Sequence, residues 1–309
     1  MPEWLIERGI GETRAVLLEH GRIVEARVMF DGVIAAGTVL AAKLKSGGRN
    51  AVAVADGCEY LLPKGAAGVT QGAALTIEVT REPIGTEDWK RPLARMTDSK
   101  SKSAPALAGR TLVFPSPRDE LEEAGWSDLV EEARSGIVAF AGGSLRIAVT
   151  PAMTLIDVDG ALPLAELAIA GARASADAIR RHAISGSIGI DLPTTGKAAR
   201  QAAVEAFDEV LPQPFERTAI NGFGFLQIVR PRRHASLLEL ALDRPAFEAR
   251  ALLRRAVRET GAIDLVAHPA VIAVIRPEWS AALARQIGGT VSLRPDPSLG
   301  IAGGHAVHR

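Results

Sequence analysis

Short apolar runs broken by turn residues fill the first hundred positions. Residues 12 to 30, E-T-R-A-V-L-L-E-H-G-R-I-V-E-A-R-V-M-F, have strand character on both sides of His20-Gly21 and predict a hairpin. The runs A-G-T-V-L-A-A-K-L, A-V-A-V-A-D-G, E-Y-L-L-P and A-A-L-T-I-E-V-T-R-E-P-I-G follow. Turn signals recur there roughly every eight to twelve positions, the spacing of a small barrel. Positions 96 to 105, M-T-D-S-K-S-K-S-A-P, are polar without an apolar period and predict a linker. A helix is expected over Arg118 to Ser135. A strand ending in T-L-I-D-V-D-G, a helix over Leu164 to Ile184 and a strand ending in S-I-G-I-D-L-P then make a βαβ unit with a right-handed crossover. A further helix is expected over Lys197 to Val210. Beyond Ser236 the pattern predicts a separate α/β piece: a helix over Pro245 to Thr260, a strand over Val271 to Ile275, a helix over Pro277 to Ile287 and a strand over Thr290 to Arg294.

The chemistry-bearing residues sit at the ends of the βαβ strands. Successive side chains on a strand point to opposite faces, so Asp157 and Asp159 share one face while Ile156 and Val158 pack on the other. Asp191 stands at the same place on its own strand. Ligands of such sheets gather at the carboxyl ends of parallel strands, and three acids delivered there suit a hard, oxygen-seeking divalent cation. A single strand-end aspartate ordinarily caps a helix or starts a turn; for the matched set the capping reading and the metal reading stand level. Arg230, Arg232, Arg233 and His234 form the densest basic cluster outside the linker, suited to clamping a phosphate or to a solvated face. Thr194-Thr195-Gly196-Lys197 is not a phosphate loop, because Asp191 stands where the first glycine belongs and Ala198 replaces the hydroxyl residue. His182 follows two arginines at a helix end and reads as a C-terminal charge.

Composition narrows the classes. With 309 residues, 47% of them apolar, the chain has material for two or three domains. No apolar run is long enough for a membrane span, and the start M-P-E-W-L-I-E-R lacks signal-peptide character, so a cytoplasmic protein without membrane contact is expected. Formal charge is zero, so any nucleic-acid partner must meet local basic patches. One cysteine, Cys58, excludes an internal disulfide and a cysteine-based zinc site within one chain; by default it is a small buried hydrophobe.

The order of these stretches resembles the ribonuclease E/G endoribonucleases. E-T-R-A-V-L-L-E-H-G-R-I-V-E is similar to that family's first hairpin, and L-T-I-E-V-T-R-E-P-I-G-T resembles the segment after its OB-type RNA-binding barrel. G-G-S-L-R-I-A-V-T-P-A-M-T-L-I-D-V-D-G and S-I-G-I-D-L-P resemble its two catalytic strands, and G-F-G-F-L-Q-I-V-R-P-R-R-H-A-S-L its R-F-G-L-L-E-M-x-R-x-R stretch. H-P-A-V followed by R-P-D-P-S-L resembles its C-terminal small domain.

The resemblance implies a mixed α/β fold with an RNase H-like and DNase I-like catalytic core, an inserted OB-type barrel and a C-terminal α/β small domain. The implied boundaries are 1–35 for the N-terminal hairpin of the RNase H-like part, 36–84 for the barrel, 85–141 for the remainder of that part, 142–235 for the metal-binding domain and 236–309 for the small domain. It implies a magnesium-dependent endoribonuclease acting on single-stranded RNA in processing or decay. Asp157 and Asp191 would be the catalytic metal ligands, and Asp159, where the family has Asn, would support the ion. Arg230, Arg232 and Arg233 would lie near these acids and contact RNA, Arg230 with Arg232 steadying the phosphate, with Tyr60 as the ring nearest the barrel's base-stacking positions, which here are Ala53 and Leu61. The family's zinc-link cysteines are missing, so any homo-oligomer forms without them. The segment from Leu112 to Gly142 is too short for its 5′ sensor. The alternative is a degenerate relative that binds RNA or protein without cutting.

Overall fold

The computed structural model describes residues 2–85, 90–116 and 118–309. It is a mixed α/β fold of several sheets and one closed barrel. Strand β1 (Glu3–Arg8) precedes the hairpin of β2 (Glu12–Glu19) and β3 (Arg22–Phe30). His20 and Gly21 both have positive φ, 52° and 76°, which lets a two-residue turn match the twist of the strands it joins.

The barrel is closed by β4 (Val39–Ser46), β5 (Ala51–Ala55), β6 (Cys58–Leu62), β7 (Ala74–Arg81) and β8 (Leu93–Met96), in the order β4-β5-β6-β8-β7. β8 lies beyond the stretch read as barrel from sequence; four residues, L-A-R-M, carry too little alternation to announce a strand. Thr86, which ends the L-T-I-E-V-T-R-E-P-I-G-T stretch, lies outside the described residues. Ala51, Ala53 and Ala55 alternate inward and leave room for Tyr60, which is 2% exposed. Burial pushes the Tyr60 hydroxyl pKa up to about 12. The expectation of a stacking ring at Tyr60 is therefore corrected: its side chain fills the barrel core. Cys58 is also corrected, from buried to exposed; it follows the tight Asp56-Gly57 turn and faces outward. An aromatic disulfide reagent is expected to titrate this thiol in the native protein. Protection until denaturation would contradict the outward placement.

The chain divides into two compact units. Unit 1 comprises Met1–Asp31, Gly109–Val130 and Leu240–Arg309; unit 2 comprises Gly32–Ala108 and Glu131–Glu239. In unit 1, β9 (Gly109–Leu112) adds parallel to β1 and completes a four-stranded sheet, β3-β2-β1-β9. The helix expected over 118 to 135 is two, α1 (Glu120–Glu123) and α2 (Trp126–Ser135), because Gly125 at φ 98° breaks the ladder between them.

Unit 2 carries a six-stranded sheet of β10 (Ile137–Phe140), β11 (Gly143–Val149), β12 (Thr154–Gly160), β13 (Gly186–Asp191), β14 (Glu216–Arg217) and β15 (Phe225–Arg230), in the order β10-β11-β12-β13-β15-β14. Helix α3 (Leu164–Arg181) joins the parallel pair β12 and β13, and α4 (Lys197–Asp208) follows β13. Both helices lie on one face. Ile156, Val158, Ile188, Ile190, Leu226 and Ile228 of the sheet pack there against Leu167, Ala172, Ile179, Val204 and Phe207. A Cβ on Gly171 would stand 2.3 Å from Val158, so this glycine sets how closely α3 approaches β12. Each large apolar side chain buried in this layer contributes roughly 1.5–3 kcal/mol.

Helix α5 (Leu237–Leu242) leads into the C-terminal part of unit 1: α6 (Arg244–Ala256), β16 (Ile263–Ala267), α7 (Pro269–Val274), α8 (Pro277–Ile287), β17 (Val291–Pro295) and β18 (His305–His308). The strand expected over Val271 to Ile275 is corrected to helix α7. Pro269 is preset for a first helical turn and the His268 ring accepts from the Ala270 amide, 3.1 Å away. The strand pairing with β17 is instead I-D-L-V-A, β16. Among the described residues no helix is long and apolar enough to cross a membrane.

Candidate metal-binding face of the six-stranded sheet

The face of the sheet away from α3 and α4 carries the acids. Asp157 and Asp191 are direct Cα partners on the parallel neighbours β12 and β13, so their side chains rise on the same side of strands about 4.8 Å apart. Asp157 also faces Arg146 across the β11–β12 pair, and Asp191 faces Phe225 across β13–β15. One row thus runs Arg146, Asp157, Asp191, Phe225. Asp159, two residues on, stands opposite Ser144. All three acids are exposed.

Their electrostatics follow from that crowding. Desolvation first, and the charges of Asp159 and Asp191 after it, raise the Asp157 pKa above the usual aspartate value; the Val158 amide and Arg146 oppose the rise. Among the described residues no group of three or more His, Cys, Asp or Glu side chains forms a ready-made metal cage. Two neighbouring exposed carboxylates are nevertheless a fitting donor set for Mg2+, which usually takes one or two carboxylates and completes its shell with water and substrate phosphate.

Beside the acids the face is apolar. Gly189 sits between Leu155 and Phe225, and an added Cβ there would stand 2.4 Å from the Phe225 ring and 3.1 Å from Leu155. The two side chains therefore close over the glycine.

Beyond the ends of β13 and β15, the turn 221–224 displays Phe223 at 84% exposure. The turn is well tied: Asn221 Oδ1 accepts from the Phe223 and Phe225 amides at 2.9 and 3.1 Å, and Thr194 Oγ1 donates to the Phe223 carbonyl at 3.1 Å. Gly224 has φ 94°, and a Cβ there would stand 2.1 Å from the Leu192 carbonyl oxygen. This position demands glycine. Gly222 meets nothing.

The arginine cluster lies elsewhere. β15 runs antiparallel to β13, so Arg230 pairs with Gly186, at the opposite end from Asp191. Five residues of strand separate them, on the order of 17 Å. The expectation that this cluster adjoins the acids is corrected by that register. Arg230 donates to the Ile184 carbonyl at 2.9 Å, and Arg232 is ion-paired with Glu239. Glu239 also accepts from the Ser236 amide at 2.9 Å, closing a capping box at the start of α5. Arg233 remains exposed, with its carbonyl accepting from the Glu82 amide. His182 is buried and bonded to Glu132, and desolvation lowers its pKa, so it is not the helix-end charge expected from sequence.

Arg146, opposed to Asp157, and the exposed Phe223 are the residues near the acids that the sequence patterns did not single out. A signal for Arg146 was present: the Thr150 hydroxyl bonds Met153 in a short turn that sets β11 against β12 in the register opposing Arg146 to Asp157. No protein-family model matches this chain, and no curated protein matches it.

Proposed function

We propose that the protein is a magnesium-dependent endoribonuclease of the ribonuclease E/G type, cutting phosphodiester bonds in single-stranded RNA in the cytoplasm. The observation that carries this reading is the in-register pairing of Asp157 and Asp191 on the two strands that resemble the family's catalytic strands. The RNase H-like and DNase I-like core and the OB-type character of the barrel belong to the same proposal.

Asp157 and Asp191 would hold the ion, with Asp159 adding negative charge beside it. An ion held there would supply a water of lowered pKa and offset charge on the phosphoryl oxygens. The protein's own side chains do the rest. Arg146, in line with the two acids, is placed to donate to a phosphate oxygen, the role that the resemblance implies for Arg230. Phe223, held outward by Asn221 and Thr194, offers a face for a neighbouring base. Wild-type protein should cut a single-stranded RNA oligonucleotide with magnesium and stop on chelation; absence of cutting under both conditions would sink the enzymatic reading.

Stacking on one ring contributes roughly 1–3 kcal/mol per base, so Phe223→Ala is expected to weaken oligonucleotide binding about tenfold, read by fluorescence anisotropy. Equal affinities would remove Phe223 from the site. The burial of Tyr60 favours a second reading, an RNA- or protein-binding relative that does not cut, since the barrel then lacks that base platform. RNA bound by the wild type but left intact in magnesium would select it.

A further inference from the structure

Between α4 and the chain running from β14 towards β15 lies a concavity of about 270 Å3, lined by Lys197, Arg200, Gln201, Val204, Arg217 and Ile220. Its floor is apolar, with Val204 and Ile220 buried. Lys197, Arg200, Gln201 and Val204 recur at three- and four-residue spacing, so they share one face of α4. Both acids of that helix are engaged: Asp208 takes Arg217 in a two-pronged pair, and Glu205 accepts from Gln201 at 2.9 Å.

Lys197 and Arg200 differ from Arg217. Among the described residues neither makes an ion pair. Arg200 donates to the Thr195 carbonyl at 2.6 Å, which fixes the guanidinium without neutralising it. Two cations left uncompensated at a concave surface are suited to an oxyanion, and guanidinium beside ammonium is a common phosphate pair. The loop 192–196 connects Asp191 to this helix, and its Thr194 is the residue that holds the Phe223 turn.

We propose that Lys197 and Arg200 form a phosphate subsite for the polynucleotide, outside the position opposed by Asp157 and Asp191. It rests on the ribonuclease reading. A strand passing over the ends of β13 and β15 would meet the acids, the Phe223 ring and this pocket in turn.

The test is anisotropy with a fluorescent single-stranded RNA oligonucleotide in EDTA, across a salt series. It compares wild type, Lys197→Ala/Arg200→Ala and, as a charge-matched control, Arg285→Ala/Arg294→Ala in unit 1. Each phosphate contact contributes about 0.7 to the slope of log affinity against log salt for a single strand. The first double variant should lose roughly 1.4 of slope and about tenfold in affinity at low salt, with unchanged thermal unfolding and an unaffected control. Equal slopes in wild type and variant overturn the subsite and leave the ribonuclease reading standing. Wild type that binds no RNA overturns both. A free mononucleotide is the other source of such a phosphate: AMP binding that depends on Lys197 and Arg200, while the oligonucleotide ignores them, makes the pocket a small-molecule site and overturns the proposal.

Discussion

Asp157→Asn or Asp191→Asn is expected to lower magnesium-dependent RNA cleavage by roughly a thousandfold or more while leaving the fold intact. Charge stabilisation by a bound ion is worth several kcal/mol, and each 1.36 kcal/mol is about tenfold in rate. Both acids lie on the solvent face of the sheet, so neither supports the layer of Ile156, Ile188 and Leu226 beneath. Stability should move the other way from activity. The raised pKa of Asp157 means that the folded state holds its proton more readily than the unfolded chain. Its contribution to stability is present below the ordinary value of 3.8 and is lost as pH rises through the folded pKa. At neutral pH the charge opposes folding, and Asp157→Asn should raise the melting midpoint when no metal is present. Single-turnover cleavage at several magnesium concentrations, with scanning calorimetry in EDTA, tests both halves. Full cleavage by either variant removes the metal assignment.

Glu12→Gln is expected to make the protein more stable above neutral pH, by on the order of 3 kcal/mol. Glu12 begins β2 in unit 1, where Arg14, Arg250, Arg254 and Asp31 surround it. Burial outweighs Arg250 and Arg254, with Asp31 acting in the same direction as burial, and lifts its pKa from 4.5 to about 7. The surrounding cations are themselves tied to rings: the Arg250 guanidinium lies 3.7 Å from the Phe30 ring centre and Arg254 5.8 Å from that of Trp126. Arg14, fully buried, is ion-paired with Glu7 and stands over Trp126.

A folded pKa above the unfolded one gives a contribution that is whole below about pH 4.5 and disappears as pH rises to about 7. Moving a carboxyl over that interval corresponds to about 3 kcal/mol. Glutamine resembles the protonated acid and does not titrate, so the variant should lose this part of the pH dependence. Urea unfolding at pH 5 and pH 8, followed by tryptophan fluorescence, gives the comparison. Wild type and variant running parallel between those two values would mean that Glu12 ionises normally.

Local signals along the chain determined the elements whose cause is local. The His20-Gly21 turn, the helix from Leu164, the helix bounded by Pro277 and Gly288, and the alternation placing Asp157 and Asp159 opposite Ile156 and Val158 all follow from dihedral preference and period. V-I-A-V-I is helix rather than the expected strand because a short apolar run has no period of its own; Pro269 and His268 decide it for helix. Facts that depend on pairing were beyond such signals. Only the parallel register of β12 and β13 sets Asp157 beside Asp191, and only the antiparallel register of β15 carries Arg230 away from them while bringing Phe225 close. Tyr60 looked like an exposed ring in E-Y-L-L, yet closure of the barrel around Ala51, Ala53 and Ala55 turned it inward. Which residues of a strand are reactive neighbours is a property of hydrogen-bonded partners distant in sequence, and those are chosen by burying a whole sheet face at once.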